Sequence, residues 1–370
     1  MIKICLMALF LFFPLVTEAS ARSDISKFRD VELLIAANNV QIGGTLTLPN
    51  ENKVDSLVIF SSGSGPQDRD ETLDGFKVFK VIAEYLALQG IASFRYDDRG
   101  VGESSGIFQT ATRQDHAKDL KGIINFFNTS EIYPFKDFIL FGHSQGAILS
   151  ANVAVNSSDI KSVVLMGAPS VPLIDIVLYQ VRHEYDSSSI SRHLIEAEVS
   201  AHNRLMSAIK NNQNIAQALK EFERTTVAVM SHQLANEGVE DQKIREMAKN
   251  KTREFEIVYA LPSLTSYLYH DTAMDYSRLN IPVLSLFAGK DLQVTIAQNK
   301  DRMENALLVS GAPYQFVTFD DANHYFQKAK SGKRDEYGTL DKRFVSGFLE
   351  TITAWILELT YSDNDPEKGE

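Results

Sequence analysis

The segment Gly142-His143-Ser144-Gln145-Gly146 sets a hydroxyl between two glycines. A serine hydroxyl is a weak nucleophile until a base takes its proton and an acid orients that base, so this segment raises the prospect of nucleophilic catalysis only if such partners exist elsewhere. The G-x-S-x-G spacing recurs at Gly102-Glu103-Ser104-Ser105-Gly106, and spacing alone does not choose between Ser144 and Ser104. Their surroundings do. Ser144 follows the apolar run DFILFG and precedes QGAILSANVAV, whose Ala147, Ala151 and Ala154 are small. That is the strand-turn-helix setting of a nucleophile elbow, where flanking glycines let a strained turn pack closely and lift the hydroxyl above a sheet. Ser104 follows YDDRGVG and leads into SGIFQT, a polar loop with no helix directly after it, and is expected to be a glycine-supported turn.

In folds built around such an elbow the partners follow the serine in the order acid, then histidine. Of the eight histidines, His324 alone lies beyond the strand-like run PVLSLFAG, in DDANHYF. It is therefore the expected base. Asp291, in LFAGKDLQV, stands at the end of the intervening strand and is the expected acid; Asp320 and Asp321 are nearer rivals in sequence, of the sort that usually face solvent. An oxyanion needs two donors. The backbone N–H of Gln145 follows the nucleophile, and the glycine-rich SGSGPQDRD after the run SLVIFS makes the N–H of Ser64 the expected second. His143 adjoins the serine, but neighbouring strand residues point to opposite faces, so it is expected to pack beneath the elbow. Arg69, Asp68 and Asp70 are expected to form a salt-bridged turn rather than to touch substrate.

The elements that must position these groups can be read from the pattern. VELLIA and VQIGGTLTLP flank Asn38-Asn39 as an antiparallel hairpin. From residue 55 onward, continuous apolar runs alternate with helical periodicity: SLVIFS then FKVFKVIAEYLALQG, IASFRY then a helix over 112–128, DFILFG then QGAILSANVAV, and KSVVLMG. Runs apolar throughout are strands covered on both faces, and their alternation with helices predicts an α/β class with a mostly parallel, doubly wound sheet. The alternation stops after KSVVLMGAPS and resumes at Ile281-Pro282. Between them 171–275 is expected to form a helical cap insertion, with 22–170 and 276–360 as the main domain. The last helix is predicted to contain Phe344, Phe348, Ile352 and Trp355, followed by a polar tail over 361–370.

The first 21 residues carry Lys3, an apolar run from Ile4 to Val16, and Ala19-Ser20-Ala21. This is the layout of a secretory signal, too short for the roughly 18 apolar residues of a spanning helix. Cleavage after Ala21 is expected, giving a periplasmic or secreted protein without stable membrane association. Cys5, the single cysteine, would leave with it, so no disulfide and no thiol nucleophile remain. A net charge of −11 without a basic run argues against a nucleic-acid partner.

Taken together, SGSGPQDRD, RYDDRGVGESSG, GHSQG, PVLSLFAGKDLQV, NHYFQ and the EYG stretch at 336–338 resemble the α/β-hydrolase family of serine esterases, and within it the EstD-like bacterial acyl esterases. The resemblance implies the α/β-hydrolase fold. It also implies carboxylester hydrolysis by Ser144, Asp291 and His324 through an acyl-enzyme, on a small-molecule ester with a short acyl group, using no metal or other cofactor. Relatives of this appearance include aminopeptidases and thioesterases, and a non-catalytic binding protein on the same fold is the reading from another class. For an aminopeptidase, Glu184, Glu196 and Glu198 are the candidates to hold an ammonium group. Oligomeric state is left open.

Overall fold

The computed structural model describes residues 27–52, 55–184 and 190–363, so the expected signal segment and most of the polar tail lie outside the described residues. Eight strands form one sheet: β1 (Phe28–Ala37), β2 (Val40–Pro49), β3 (Leu57–Ser61), β4 (Ser93–Tyr96), β5 (Phe138–His143), β6 (Ile160–Met166), β7 (Val283–Ala288) and β8 (Tyr314–Phe319). Their spatial order is β1-β2-β4-β3-β5-β6-β7-β8. The β1/β2 and β2/β4 pairs are antiparallel and every later pair is parallel. The hairpin turns at Asn38 and Asn39, with φ of 44° and 63°, where Ala37 pairs with Val40. Two consecutive positive φ values match the twist of a two-residue hairpin, and asparagine tolerates them.

Every residue of β3, β5 and β7 is buried. Period-two alternation sorts their side chains into two cores. Leu57, Ile59, Phe138 and Leu140 enter one, while Val58, Phe60, Ile139 and Phe141 enter the other. Helix α1 (Val78–Leu88) covers the second core through Val78, Ile82 and Leu86. Helices α2 (Arg113–Thr129) and α3 (Gln145–Ala154) cover the first through Leu120, Ile123, Ala147 and Ala151. This is the doubly wound arrangement expected of strands apolar along their whole length.

Between β6 and β7 the described residues form six helices: α4 (Leu173–His183), α5 (Arg192–Asn211), α6 (Ile215–Gln233), α7 (Asp241–Ala260), α8 (Pro262–Leu268) and α9 (Thr272–Tyr276). No strand interrupts them among the described residues. Leu205, Phe222, Tyr259 and Leu268 build a small core of their own, separate from the sheet. Helix α10 (Ile296–Ser310) joins β7 to β8, and α11 (Phe348–Asp363) closes the second core with Phe348, Ile352 and Ile356.

Two boundaries differ from expectation. Phe76 and Lys77 are not helical; they pair with Leu73 and Thr72 in a minute hairpin, and α1 begins at Val78. Phe344 precedes α11 rather than lying in it. It bridges to Gln327, and Gly347 at φ of 83° redirects the chain before the helix starts. Its ring nevertheless stacks on Phe348 with centroids 4.4 Å apart, so the apolar periodicity reported a real contact made by a loop.

Candidate active site

Ser144 occupies the turn from β5 into α3 with φ of 52° and ψ of −117°. A serine in this region is strained by about 1–3 kcal/mol, and such strain persists only where the surroundings hold it. They do so by close approach. A Cβ on Gly146 would lie 2.0 Å from the Ser61 carbonyl oxygen, and one on Gly142 would lie 2.5 Å from the Ala147 Cα. The two glycines of the motif are thus sites where no side chain fits. The Ser144 N–H donates to the Met166 carbonyl at 2.9 Å, tying the turn to the end of β6. Helix α3 starts at the next residue, so the Gln145 N–H is one of the donors a helix leaves unpaired at its first turn.

Asp291 and His324 meet at the same edge of the sheet. Asp291 is 4% exposed and His324 3%. The His324 Nδ1 lies 2.6 Å from Asp291 Oδ2, while Asp291 Oδ1 accepts the N–H groups of Gln293 at 2.7 Å and Val294 at 2.8 Å. The carboxylate is therefore anchored at one oxygen and presented to the ring at the other. Asp320 and Asp321 are both exposed, and Asp321 pairs with Lys290 at 3.0 Å. The ring of His324 lies over Gly167, where a Cβ would come within 3.2 Å of Nδ1. Gly167 follows Met166, the residue that anchors the Ser144 turn. The serine and histidine segments therefore converge over the end of β6, although no hydrogen bond joins the Ser144 hydroxyl to the His324 ring among the described residues.

The loop after β3 lies on the other side of the elbow. A Cβ on Gly63 would lie 3.5 Å from Ser144 Cβ. The Gly63 N–H is engaged, donating to Glu71 Oε1 at 2.7 Å. Ser64 is exposed, and its carbonyl accepts from Gln67 Nε2 at 3.1 Å. The N–H groups of Ser64 and Gln145 have no protein acceptor among the described residues.

The polar stretches around residues 62–70 and 95–106 interlock. Arg69 reaches Asp97, with Nη2 2.6 Å from Oδ2, and also pairs with Glu32 and Glu103. Its burial opposes the charge, but these carboxylates raise its pKa further above an already high value. Arg95 pairs with Asp70, and Arg99 with Asp119, Nη2 to Oδ1 at 2.6 Å. Arg69 and Asp70 thus belong to a salt-bridged framework. Ser104 is buried in it, its Oγ donating to the Asp97 carbonyl at 2.7 Å and accepting the Gly43 N–H at 2.9 Å. Ser104→Ala should strand both groups and cost about 1–3 kcal/mol of stability. With Ser104 held in this framework, its loss should leave the reactivity of Ser144 toward a fluorophosphonate as it is in wild type; denaturant melts and labelling of the same sample check the two halves of that expectation.

Asp98 faces a narrow cleft beside the elbow, shared with Ser62, Gly63, His116, Gln145 and Tyr267. Burial pushes its pKa up to about 7, against hydrogen bonds from the Gln67 N–H and Ser62 hydroxyl that favour the ionised form, with Glu71 and Asp97 adding repulsion. A raised acid pKa means that the folded state holds a proton the unfolded chain has released, so its stabilising effect fades as pH rises from about 4 toward 7. The Tm of Asp98→Asn relative to wild type should therefore climb across that interval. A constant difference would contradict the assignment.

Sequence reasoning did not identify the partners of His143. It is fully buried; its Nδ1 lies 2.8 Å from Glu71 Oε1 and its Nε2 3.0 Å from the His324 carbonyl oxygen. The available signal was a glutamate directly after SGSGPQDRD, but nothing in the spacing pairs it with a histidine 72 positions later. Among the insertion's carboxylates, Glu184 is exposed, Glu196 pairs with Arg182 at 2.7 Å, and buried Glu198 lies 3.6 Å from Lys251.

Residues 74–324, more than half of the chain, match the family described as serine aminopeptidase, S33. The chain is 25% identical over 328 residues to esterase EstD of Thermotoga maritima, an alignment covering 85% of this chain and 65% of that protein. It therefore spans slightly less than two thirds of that relative's length. Among solved structures, the fold is similar to the Pyrococcus furiosus esterase Pf2001, with a TM-score of 0.52 and 14% identity over 90% of each chain. It is also similar to the proline iminopeptidase of Mycobacterium smegmatis, with a TM-score of 0.52 and 12% identity over 90% of this chain and 100% of the other.

Proposed function

Because the chain belongs to the serine aminopeptidase, S33 family of α/β-hydrolases, we propose that it is a serine hydrolase cleaving short-chain carboxylic esters, with Ser144 as nucleophile, His324 as base and Asp291 as its orienting acid. The observation that carries the reading is the buried Asp291–His324 hydrogen bond of 2.6 Å, formed at the sheet edge where the strained Ser144 turn also ends. In this reading His324 takes the hydroxyl proton as Ser144 attacks the ester carbonyl. The imidazolium so formed is held by Asp291 and protonates the leaving alcohol. The N–H groups of Ser64 and Gln145 receive the oxyanion; one such donor is worth about 3 kcal/mol to a transition state. Water then repeats the sequence on the acyl-enzyme and frees the acid.

Ester is favoured over aminoacyl substrates because two of the three candidate carboxylates of the insertion, Glu196 and Glu198, are engaged by Arg182 and Lys251, leaving exposed Glu184 in place of a cluster. The helices over 171–275 act as the cap that selects the acyl group. Export with cleavage after Ala21 belongs to the same proposal, and N-terminal sequencing of protein recovered outside the cytoplasm tests it. For the activity, purified protein is assayed against a panel of p-nitrophenyl esters, acyl thioesters and aminoacyl naphthylamides, and a fluorophosphonate adduct is mapped by peptide mass. Ester turnover with the adduct on Ser144 is the expected result. Naphthylamide turnover exceeding ester turnover would shift the assignment to an aminopeptidase, and an unlabelled Ser144 would end it.

A further inference from the structure

Three separate segments carry the groups assigned above: the loop after β3 holds Ser64 next to Gly63, the β5 end holds Ser144, and the loop after β8 holds His324. One pair of buried side chains touches all three. The Glu71 Oε1 accepts the Gly63 N–H at 2.7 Å and faces His143 Nδ1 at 2.8 Å; His143 Nε2 faces the His324 main-chain carbonyl at 3.0 Å. His143 is 0% exposed and Glu71 1%. We propose that His143 is a permanent imidazolium, ion-paired with Glu71, and that the pair is a positioning device locking the oxyanion loop, the elbow and the base loop in one register.

The protonation state follows from counting donors. A carbonyl oxygen only accepts, so His143 Nε2 carries a proton to reach the His324 carbonyl. The Nδ1 could be bare only if the proton between it and Glu71 sat on Oε1. That oxygen also accepts from Gly63, a second contact that an ionised oxygen makes better than the hydroxyl oxygen of an acid, and contacts of 2.7 Å and 2.8 Å have the length of charge-assisted bonds to a carboxylate. A proton on Oε2 would point at no acceptor, since that buried oxygen has no hydrogen-bond partner among the described residues, so the ionised carboxylate is the form that serves both N–H groups. Both ring nitrogens therefore donate, and an imidazole with two N–H groups is cationic. A charge this deeply buried survives only when it is paired and hydrogen-bonded, and Glu71 supplies both conditions.

The electrostatic surroundings agree. Burial works to lower the His143 pKa, but the Glu71 carboxylate, its hydrogen bond, the His324 carbonyl and the Asp291 charge together raise it above the ordinary histidine value. The titratable groups facing the ring are Glu71 from the loop before α1, Asp291 from the loop after β7, and His324 and Tyr325 from the loop after β8. The ring centroid of His143 lies 4.7 Å from that of His324 and 4.9 Å from that of Tyr325. Glu71 is itself held at a φ of 48°, a backbone state that a glutamate adopts only where its environment over-determines it. The role in catalysis rests on the functional reading given above; the charge state does not.

The test uses full-length protein labelled with 15N at its histidines. The spectrum at pH 7 should show proton signals on both ring nitrogens of His143, assigned by their disappearance in His143→Asn. Glu71→Gln should lose the Nδ1 proton and lower kcat by about 10²-fold, the cost of a small misplacement of reacting groups, with KM nearly unchanged. A bare Nδ1 in folded wild type overturns the ion pair, whatever the variants do. A Glu71→Gln protein with wild-type kcat overturns the positioning role. A doubly protonated ring in a protein that hydrolyses no ester would uphold the ion pair while removing the functional reading, so the two failures are distinguishable.

Discussion

Under the proposed mechanism Ser144→Ala is expected to lower kcat for a short p-nitrophenyl ester by about 10⁴-fold or more, because nucleophile, base and acid act as a unit and loss of one forfeits nearly the whole advantage. Folding should survive. The Ser144 side chain caps nothing, as α3 starts without a side-chain hydrogen bond from it, and alanine inherits the same positive φ. The change in stability should therefore stay within about 0.5 kcal/mol. Ser144→Gly sharpens the test by relieving the backbone strain. It should raise stability by about 1 kcal/mol while being equally inactive, since strain at such a turn is retained for the placement of the hydroxyl and not for the fold. Thermal melts and ester assays on the three proteins decide the matter. Undiminished hydrolysis by Ser144→Ala would remove the mechanism; a destabilised glycine variant would remove the argument about strain.

Asp70→Ala is expected to cost about 3–5 kcal/mol, the usual penalty for removing one partner of a buried ion pair and leaving the other charged. Arg95 is 2% exposed and projects from β4, between β2 and β3, with Asp70 as its carboxylate partner and Thr47 Oγ1 at 3.4 Å from Nη2. Its Nε has no hydrogen-bond partner among the described residues, so little remains to solvate the guanidinium once Asp70 is gone. Lys77, at 3.1 Å from Asp70, is half in solvent and loses far less. The double variant Asp70→Leu with Arg95→Met should recover most of the stability, because apolar groups of similar volume avoid the desolvation cost altogether. Denaturant titration of Asp70→Leu, Arg95→Met and the double variant measures this directly. Additive losses in the double variant would mean that the two residues act through separate contacts rather than as a pair.

These two expectations differ in how legible they were. The Ser144 elbow is local: an apolar run, a glycine on each side of the serine and a small-residue helix lie within a few positions of one another, and the close approach of Gly142 to Ala147 is their direct consequence, whereas that of Gly146 to Ser61 needs β3 beside β5. Arg95–Asp70 is not local. Both residues stand in polar stretches noticed for their composition, yet which arginine meets which aspartate depends on β4 lying beside β3, a matter of strand order. The final helix shows the same division, since the apolar periodicity found the stacked Phe344 and Phe348 but could not tell a loop residue from a helical one.

The amino-acid pattern by itself determined that the chain is an α/β protein with a hairpin ahead of a mostly parallel sheet, because burial of strands on both faces and turning at Asn38-Asn39 are properties of contiguous residues. It also singled out Ser144, Asp291 and His324 as groups worth testing. Only the tertiary structure decided that Asp291, not Asp320 or Asp321, meets His324, and that Glu71 reaches His143 across 72 positions. Those pairings have no local signature. A carboxylate is chosen by the distance and burial that the folded sheet imposes, and neither quantity exists until β3, β5, β6, β7 and β8 stand side by side.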